Sequence, residues 1–130
     1  MSAAPIGEED VNRFIINEIE TVPHLEALLL LWNTRPQRWS TEKLSERLFV
    51  SPDAARGIMD DLSRRRLVNS SEEAEEYYYE SGSEDRDDLI EAVDRTYRRE
   101  LVRISNLIHA KAPSAVREFA RAFKFTKEKD

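Results

Sequence analysis

The stretch STEKLSERLFVSPDAARGIMDDLSRRRLV, residues 40–68, contains two helix starts separated by a short turn. Ser40 and Ser51 each precede helix-forming residues, and serine is a favoured N-cap because its hydroxyl accepts a backbone N–H bond. Pro52 stands at the first position of the second helix, where its missing N–H costs nothing. Apolar residues recur at helical spacing and define the inward faces: Leu44 and Leu48, then Ala55, Met59 and Leu62. The stretch therefore predicts a helix over 41–49, a turn, and a second helix starting at residue 52.

A two-stranded ribbon is predicted after the second helix. Leu67-Val68 begins the first strand, and the three tyrosines at 77–79 form the return strand, because aromatic residues favour sheets. Alternation along a strand places the outer two tyrosines on one face and Tyr78 on the other. We expect at least one of the three to pack against the helices. The alternative is an aromatic contact surface for a partner.

Two helices are predicted before residue 40. Residues 8–20 predict a short amphipathic helix from the spacing of its apolar side chains, Val11, Phe14, Ile15 and Ile19. Residues 24–33, HLEALLLLWN, are apolar on nearly every face, which is typical of a helix in the middle of a core.

A long helix is predicted over residues 86–110. Its apolar side chains are three or four residues apart and form a heptad-like seam: Ile90, Val93, Tyr97, Leu101, Ile104 and Ile108. Such a stripe needs a surface that buries it. We predict that two copies of the chain pack through this seam as a homodimer. The alternative is that the seam packs on the chain's own N-terminal helix.

The predicted organisation has four parts. A helical extension (1–22) precedes a central helix and ribbon domain (23–82), the long helix follows (83–112), and a terminal helix from Ser114 with a basic tail ends the chain (113–130).

Residues 39–68 resemble the helix-turn-helix of winged-helix proteins of the MarR/ArsR type. The whole chain resembles a loose group of small bacterial winged-helix proteins, with HLEALLLLW first, YRRELVRISNLIHAK after the ribbon and AVREFARAFKF at the end. The resemblance implies a mainly α fold: a winged helix-turn-helix with a short two-stranded β-wing, an N-terminal helix and a long C-terminal helix. It also implies a transcriptional regulator whose terminal helices dimerise.

The net charge of −6 is distributed unevenly along the chain. Residues 38–68 carry seven basic and five acidic groups, whereas residues 69–88 carry nine carboxylates and one arginine, a net charge of −8. Residues 89–130 have a net charge of +4. The negative charge is therefore concentrated in the ribbon and its following loop, where it repels DNA phosphates.

The resemblance places the N-terminal residues of the second helix in the major groove of double-stranded DNA. Arg56 is the one good base reader there, because a guanidinium makes a bidentate contact to guanine. The other predicted DNA contacts are Ser51 at the helix start and the phosphate-binding side chains Lys43, Arg47, Arg64, Arg65 and Arg66. Asp60 and Asp61 on the same helix oppose this role, because they would lie near phosphates, while Asp53 is explained as a first-turn carboxylate favoured by the helix dipole. We therefore predict a transcription-regulator-like protein whose DNA binding is weak or depends on a partner.

A protein-interaction module on the same scaffold is the alternative. In that hypothesis the acidic wing or the helix from residue 52 docks a basic protein and no DNA is bound. The arginines at 64–66 are also explained by the helix dipole, which favours positive charge at a helix C-terminus. The regulator is the leading prediction, and the interaction module is the second.

Other chemistries lack their motifs in this sequence. There is no cysteine, which excludes disulfides and thiolate metal sites and suits a reducing cytoplasm. His24 and His109 lie in separate helices without metal-ligand spacing, so no metal site is predicted. Phosphate-binding glycine loops, a GxSxG motif and a calcium-loop pattern are missing. We expect no cofactor, no catalytic residues and no enzymatic activity, and we find neither a secretory signal nor a stretch that could span a membrane.

Overall fold

The structure, a computed structural model, describes residues 6–111. Within that range the chain is mainly helical, as predicted, and contains a small antiparallel sheet. The elements are α1 (Glu8–Glu18), α2 (Val22–Thr34), β1 (Trp39–Ser40), α3 (Thr41–Leu48), α4 (Pro52–Arg64), β2 (Asn69–Ser71), β3 (Glu76–Tyr78), α5 (Glu84–Arg99) and α6 (Leu101–Ala110). The predicted terminal helix and basic tail lie outside the described residues. Among residues 6–111, no helix is both long and apolar enough to cross a bilayer.

Helix α2 lies at the centre of the hydrophobic core. Leu25, Leu28 and Leu31 have no exposed surface, and the helix contacts α3, α4, α5 and β3. Its first turn is capped by Thr21, whose hydroxyl accepts the backbone N–H of His24 at 3.3 Å. The nearly continuous apolar sequence is thus explained by burial on most faces, which confirms the prediction of a core helix.

Both predicted serine caps are present. Ser40 accepts the backbone N–H of Lys43 at 3.2 Å, and Ser51 accepts that of Ala54 at 3.0 Å. These caps fix the starts of α3 and α4 on either side of a short turn. The predicted inward residues of α4 are buried together with one more, giving the set Ala55, Ile58, Met59 and Leu62. This stripe packs α4 against α2 and α3.

The sheet has three strands in the order β1-β3-β2, all antiparallel. The prediction of a two-stranded ribbon is wrong by one strand, because β1 pairs with β3 through Trp39 opposite Tyr77. A two-residue strand leaves almost no alternation in the sequence, so periodicity cannot reveal it. The first ribbon strand also begins at Asn69 rather than at Leu67, which is buried in the turn before it.

The tyrosines alternate as predicted. Tyr77 and Tyr79 are buried, whereas Tyr78 is partly exposed beside the Arg38 guanidinium, which lies 4.3 Å from its ring centroid. Tyr79 meets Trp32 edge to face at 5.2 Å and donates a hydrogen bond to Asp87 at 2.8 Å. Burial, reinforced by that hydrogen bond to a carboxylate, raises the pKa of Tyr79 to about 12. Packing is therefore the role of the two buried tyrosines.

The predicted long helix is broken at Glu100. This residue has φ −132° and ψ 50°, outside the helical region, and separates α5 from α6. Its carboxylate accepts a hydrogen bond from Arg103 Nε at 2.6 Å, and this bond lowers the pKa of Glu100. Both α5 and α6 contact α1, so each half of the broken helix buries its own apolar face on the N-terminal helix.

The seam predicted to hold a homodimer lies inside the single chain. Four of its members are at most 1% exposed: Ile90, Val93, Ile104 and Ile108. Tyr97 is half-buried and donates a hydrogen bond to Glu26 at 3.3 Å, and Leu101 alone is largely exposed, at 51%. The seam is therefore not available as the predicted interface, because α1 already covers it. The alternative, packing on the chain's own N-terminal helix, is what the structure shows.

Polar contacts reinforce the pairing of α6 with α1. Arg103 donates to Asn12 Oδ1 at 2.9 Å near the start of α1, and Lys111 Nζ donates to the Ile15 carbonyl at 3.1 Å near its end. The two helices thus run in the same direction. The hydrophobic cluster includes side chains from α1, α2, α4, α5 and α6.

We expect Ile104→Ala to lower the free energy of unfolding by about 2–5 kcal/mol, because it leaves a cavity between α6 and α1. The loss should not depend on protein concentration, since the side chain is buried within one chain. Val102→Ala, at a position that is 70% exposed, is the control and should change it by less than about 0.5 kcal/mol. Urea denaturation at two protein concentrations measures both. A loss that appears only at the higher concentration would place Ile104 between chains.

Candidate nucleic-acid interface

Helix α4 turns its second face to solvent. Asp53, Arg56, Gly57 and Asp60 are exposed and share this face, opposite the buried stripe. Arg56, the predicted base reader, is adjacent along the helix to Asp53 and to Asp60, at spacings of three and four residues. The one cation of the first two turns therefore lies between two carboxylates.

Asp60 is held in place by the ribbon. Tyr77 donates a hydrogen bond to Asp60 Oδ1 at 3.3 Å. Burial, together with the charge of Asp60, raises the pKa of Tyr77, while the nearby Arg56 lowers it. The bond ties β3 to the outer face of α4, so the carboxylate of Asp60 is a fixed part of that face.

Lys43 and Arg47 lie one turn apart on the exposed side of α3. Glu42 and Glu46 are exposed beside them. Within residues 6–111, neither Lys43 nor Arg47 forms a salt bridge, so both remain available to a phosphate. Their glutamate neighbours leave α3 with little net positive charge.

The three arginines at the C-terminal end of α4, Arg64 to Arg66, do not form one basic surface. Arg64 pairs with Asp61, and Arg65 donates to the Asn17 carbonyl at 3.1 Å and lies 3.4 Å from Glu18 Oε1. Arg66 is exposed and adopts a left-handed conformation, with φ 61°. Of the predicted phosphate contacts, Arg65 is thus held against α1, and the charge of Arg64 is partly neutralised.

The ribbon carries the negative charge that the sequence predicts. Residues 72–75, which connect β2 to β3, expose three glutamates: Glu72, Glu73 and Glu75. Arg38 offsets part of this charge where it stacks on Tyr78. A duplex lying along α4 and the ribbon would meet these carboxylates within one Debye length, about 8 Å at physiological salt.

A cavity of about 480 Å³ lies between the end of α4, the ribbon and the start of α5. Its lining includes Ser63, Arg66, Asn69, Ser81 and Arg86. Ser63 Oγ and Arg86 Nη1 are buried there without a hydrogen-bond partner among the described residues. Glu80 also lines the cavity, so the lining carries two arginines, Arg66 and Arg86, and one carboxylate.

Phe49 is the feature of this surface that the sequence analysis missed. The sequence predicts Phe49 as the last residue of the first helix, but in the structure it caps α3 in a left-handed conformation, with φ 59° and ψ 43°. Its side chain is 93% exposed. Glycine or asparagine is usual at such a position, because a side chain there is strained. The sequence contains one indication of this exposure: the phenylalanine directly follows an inward-facing leucine and stands two residues before the serine cap of the next helix.

No protein-family model matches this chain, and neither a curated protein nor a solved structure matches it.

We expect Phe49→Asn to leave the free energy of unfolding unchanged or to raise it by up to about 1 kcal/mol. Asparagine adopts the left-handed conformation with less strain than phenylalanine. Because the Phe49 side chain is exposed, the substitution removes no buried apolar surface. Phe14→Asn is the control, because Phe14 is 7% exposed and its loss should cost at least about 3 kcal/mol. Denaturant unfolding compares the two. A large loss at Phe49 would show that its side chain supports the fold.

Proposed function

We propose that the chain is a winged-helix protein of the transcription-regulator type, with α3, α4 and the ribbon as its nucleic-acid-binding unit. One observation carries this proposal: the inner face of α4 is buried on α2, while its outer face is left uncovered beside an antiparallel ribbon. A helix presented in this way, with its N-terminus free, suits insertion into a major groove.

In this proposal Arg56 contacts the edge of a guanine base, and Ser51, at the start of α4, lies close to the DNA backbone. Lys43 and Arg47 on α3, together with Arg66 after α4, contact phosphates. These four cations are exposed, and none of them forms a salt bridge among residues 6–111. Arg64 contributes less, because it already pairs with Asp61.

The carboxylates on the same surface make duplex binding weak. Asp53 and Asp60 flank Arg56, and the ribbon loop adds further negative charge. Two unit charges 4 Å apart interact by about 1 kcal/mol in water and by more near a protein surface. A partner that covers the acidic ribbon would therefore strengthen the contact with DNA.

A protein partner is the second candidate, and Phe49 favours it. An exposed aromatic side chain in the turn between α3 and α4 fits a partner with an apolar socket. Aromatic side chains are enriched at the energetic centres of interfaces.

A homodimer and a non-enzymatic, cytoplasmic role remain part of this proposal. Since α1 covers the predicted seam, a dimer would have to use another surface. Leu101 and Val102, exposed at the junction of α5 and α6, are apolar side chains that such a surface could include.

Duplex affinity should fall with salt, because each neutralised phosphate releases counterions. With four contacting cations, the slope of log K against log [salt] should be no steeper than about −4 per chain. Lys43→Gln and Arg47→Gln should each reduce the magnitude of this slope by about 1. Arg65→Gln should leave the slope unchanged, because the Arg65 guanidinium already contacts Asn17 and Glu18. Fluorescence anisotropy with a labelled generic duplex measures these slopes.

The opposite outcome would be no binding of the duplex even at low salt. It would exclude direct DNA contact by the isolated chain and leave the protein partner as the function of this surface. An equal effect of Arg65→Gln and Lys43→Gln would show that the contact surface lies elsewhere.

A further inference from the structure

Three potential metal-ligating side chains meet where α2 begins. Glu20 lies in the connection between α1 and α2, His24 in the first turn of α2, and Asp61 in the C-terminal half of α4. Their ligating atoms are all within 4.8 Å of one another. His24 Nε2 lies 3.0 Å from Asp61 Oδ2, although 37 residues separate the two in the sequence.

The imidazole of His24 is fixed at both nitrogens. The residue is 7% exposed, and Nδ1 lies 2.6 Å from the Thr21 hydroxyl oxygen. When the ring is the neutral Nε2–H tautomer, Nε2–H donates to Asp61 and Nδ1 accepts from the Thr21 hydroxyl. The nitrogen nearest the two carboxylates is therefore held in one direction.

We propose that Glu20, His24 and Asp61 form a binding site for a divalent transition-metal ion, with Zn²⁺ as the best fit. The ion takes the place of the Nε2 proton, and the neutral ring changes tautomer: that proton passes through solvent to Nδ1, and Nδ1–H then donates to Thr21 Oγ1. Zinc-binding histidines usually have such a hydrogen-bond acceptor at their second nitrogen. One nitrogen and two carboxylate oxygens make a three-ligand set, and water completes the tetrahedron.

The spacing fits after a small adjustment. Zinc–ligand bonds of about 2.0–2.2 Å place the ligating atoms of a tetrahedral site roughly 3.4 Å apart. The His24–Asp61 separation of 3.0 Å is already close to this value, and no pair exceeds 4.8 Å. Closure needs a shift of about 1 Å, which the torsions of the half-buried Glu20 side chain can supply.

The local charge also suits a cation. Two carboxylates neutralise a divalent ion, and the chain as a whole carries a net charge of −6. Arg64 competes for Asp61, but the Arg64 side chain is 71% exposed, and exposed ion pairs contribute little. Arg64 pairs with Asp61 Oδ1, whereas Oδ2 faces His24, and a bound ion would tie the α1–α2 connection to α4.

The test uses the tag-free full chain and ZnCl₂. The chain has only two histidines, and His109 is exposed on α6, so imidazole ¹H–¹⁵N spectra contain an internal control. We expect one zinc ion per chain, a shift of the His24 imidazole signals alone, and a higher melting temperature with zinc.

Three variants report on the ligands. Glu20→Gln and Asp61→Asn should each weaken zinc binding at least about tenfold in isothermal titration. Glu26→Gln, an exposed carboxylate on α2 two residues from His24, is the matched control and should bind as the wild type does. Circular dichroism checks that each variant is folded, and Glu20→Gln alters a connecting segment, where a folding defect is least expected.

Three results would overturn the proposal. The first is a wild-type chain that takes up no zinc, which would leave His24 as a hydrogen-bonded structural histidine. The second is equal weakening by Glu26→Gln and Glu20→Gln. The third is a zinc-dependent shift of the His109 imidazole with none at His24.

Discussion

The burial of α2 on most of its surface determines how the other elements are arranged. A helix with leucines on every face has no face whose exposure to water is favourable. Each buried leucine contributes about 1.5–3 kcal/mol to the free energy of folding. Neighbours must therefore enclose it, and α3, α4, α5 and β3 all contact it. Helix α1 completes the core by covering α5 and the part of the chain that follows the break at Glu100.

The same constraint decides what α4 can do. Its apolar stripe is committed to α2, so only the face with Arg56, Asp53 and Asp60 can meet another molecule. The Tyr77–Asp60 bond fixes part of that face, and Arg65 is drawn back towards α1. The surface that remains combines a few exposed cations with an acidic ribbon, and it is this surface that we propose makes a weak nucleic-acid contact.

Elements with strong local signals were predictable from the sequence, and those that depend on tertiary contacts were not. Serine caps and helical spacing predicted α3 and α4, and apolar composition predicted α2. Strand β1 is two residues long and exists only through its pairing with β3. The break at Glu100 does not interrupt the apolar spacing, so the sequence resembles one long helix. The association of His24 with Asp61 and the splitting of the arginine cluster arise from packing between distant segments, which spacing rules cannot detect.

The central claim is that one chain closes its own core around α2. Native-state amide hydrogen exchange over a hundredfold dilution tests it directly. We expect the slowest amides to belong to α2, and the protection of α5 and α6 not to change with concentration, because α1 of the same chain covers them. Loss of that protection on dilution would contradict it, since the seam of Ile90, Val93, Ile104 and Ile108 would then be buried by a second chain.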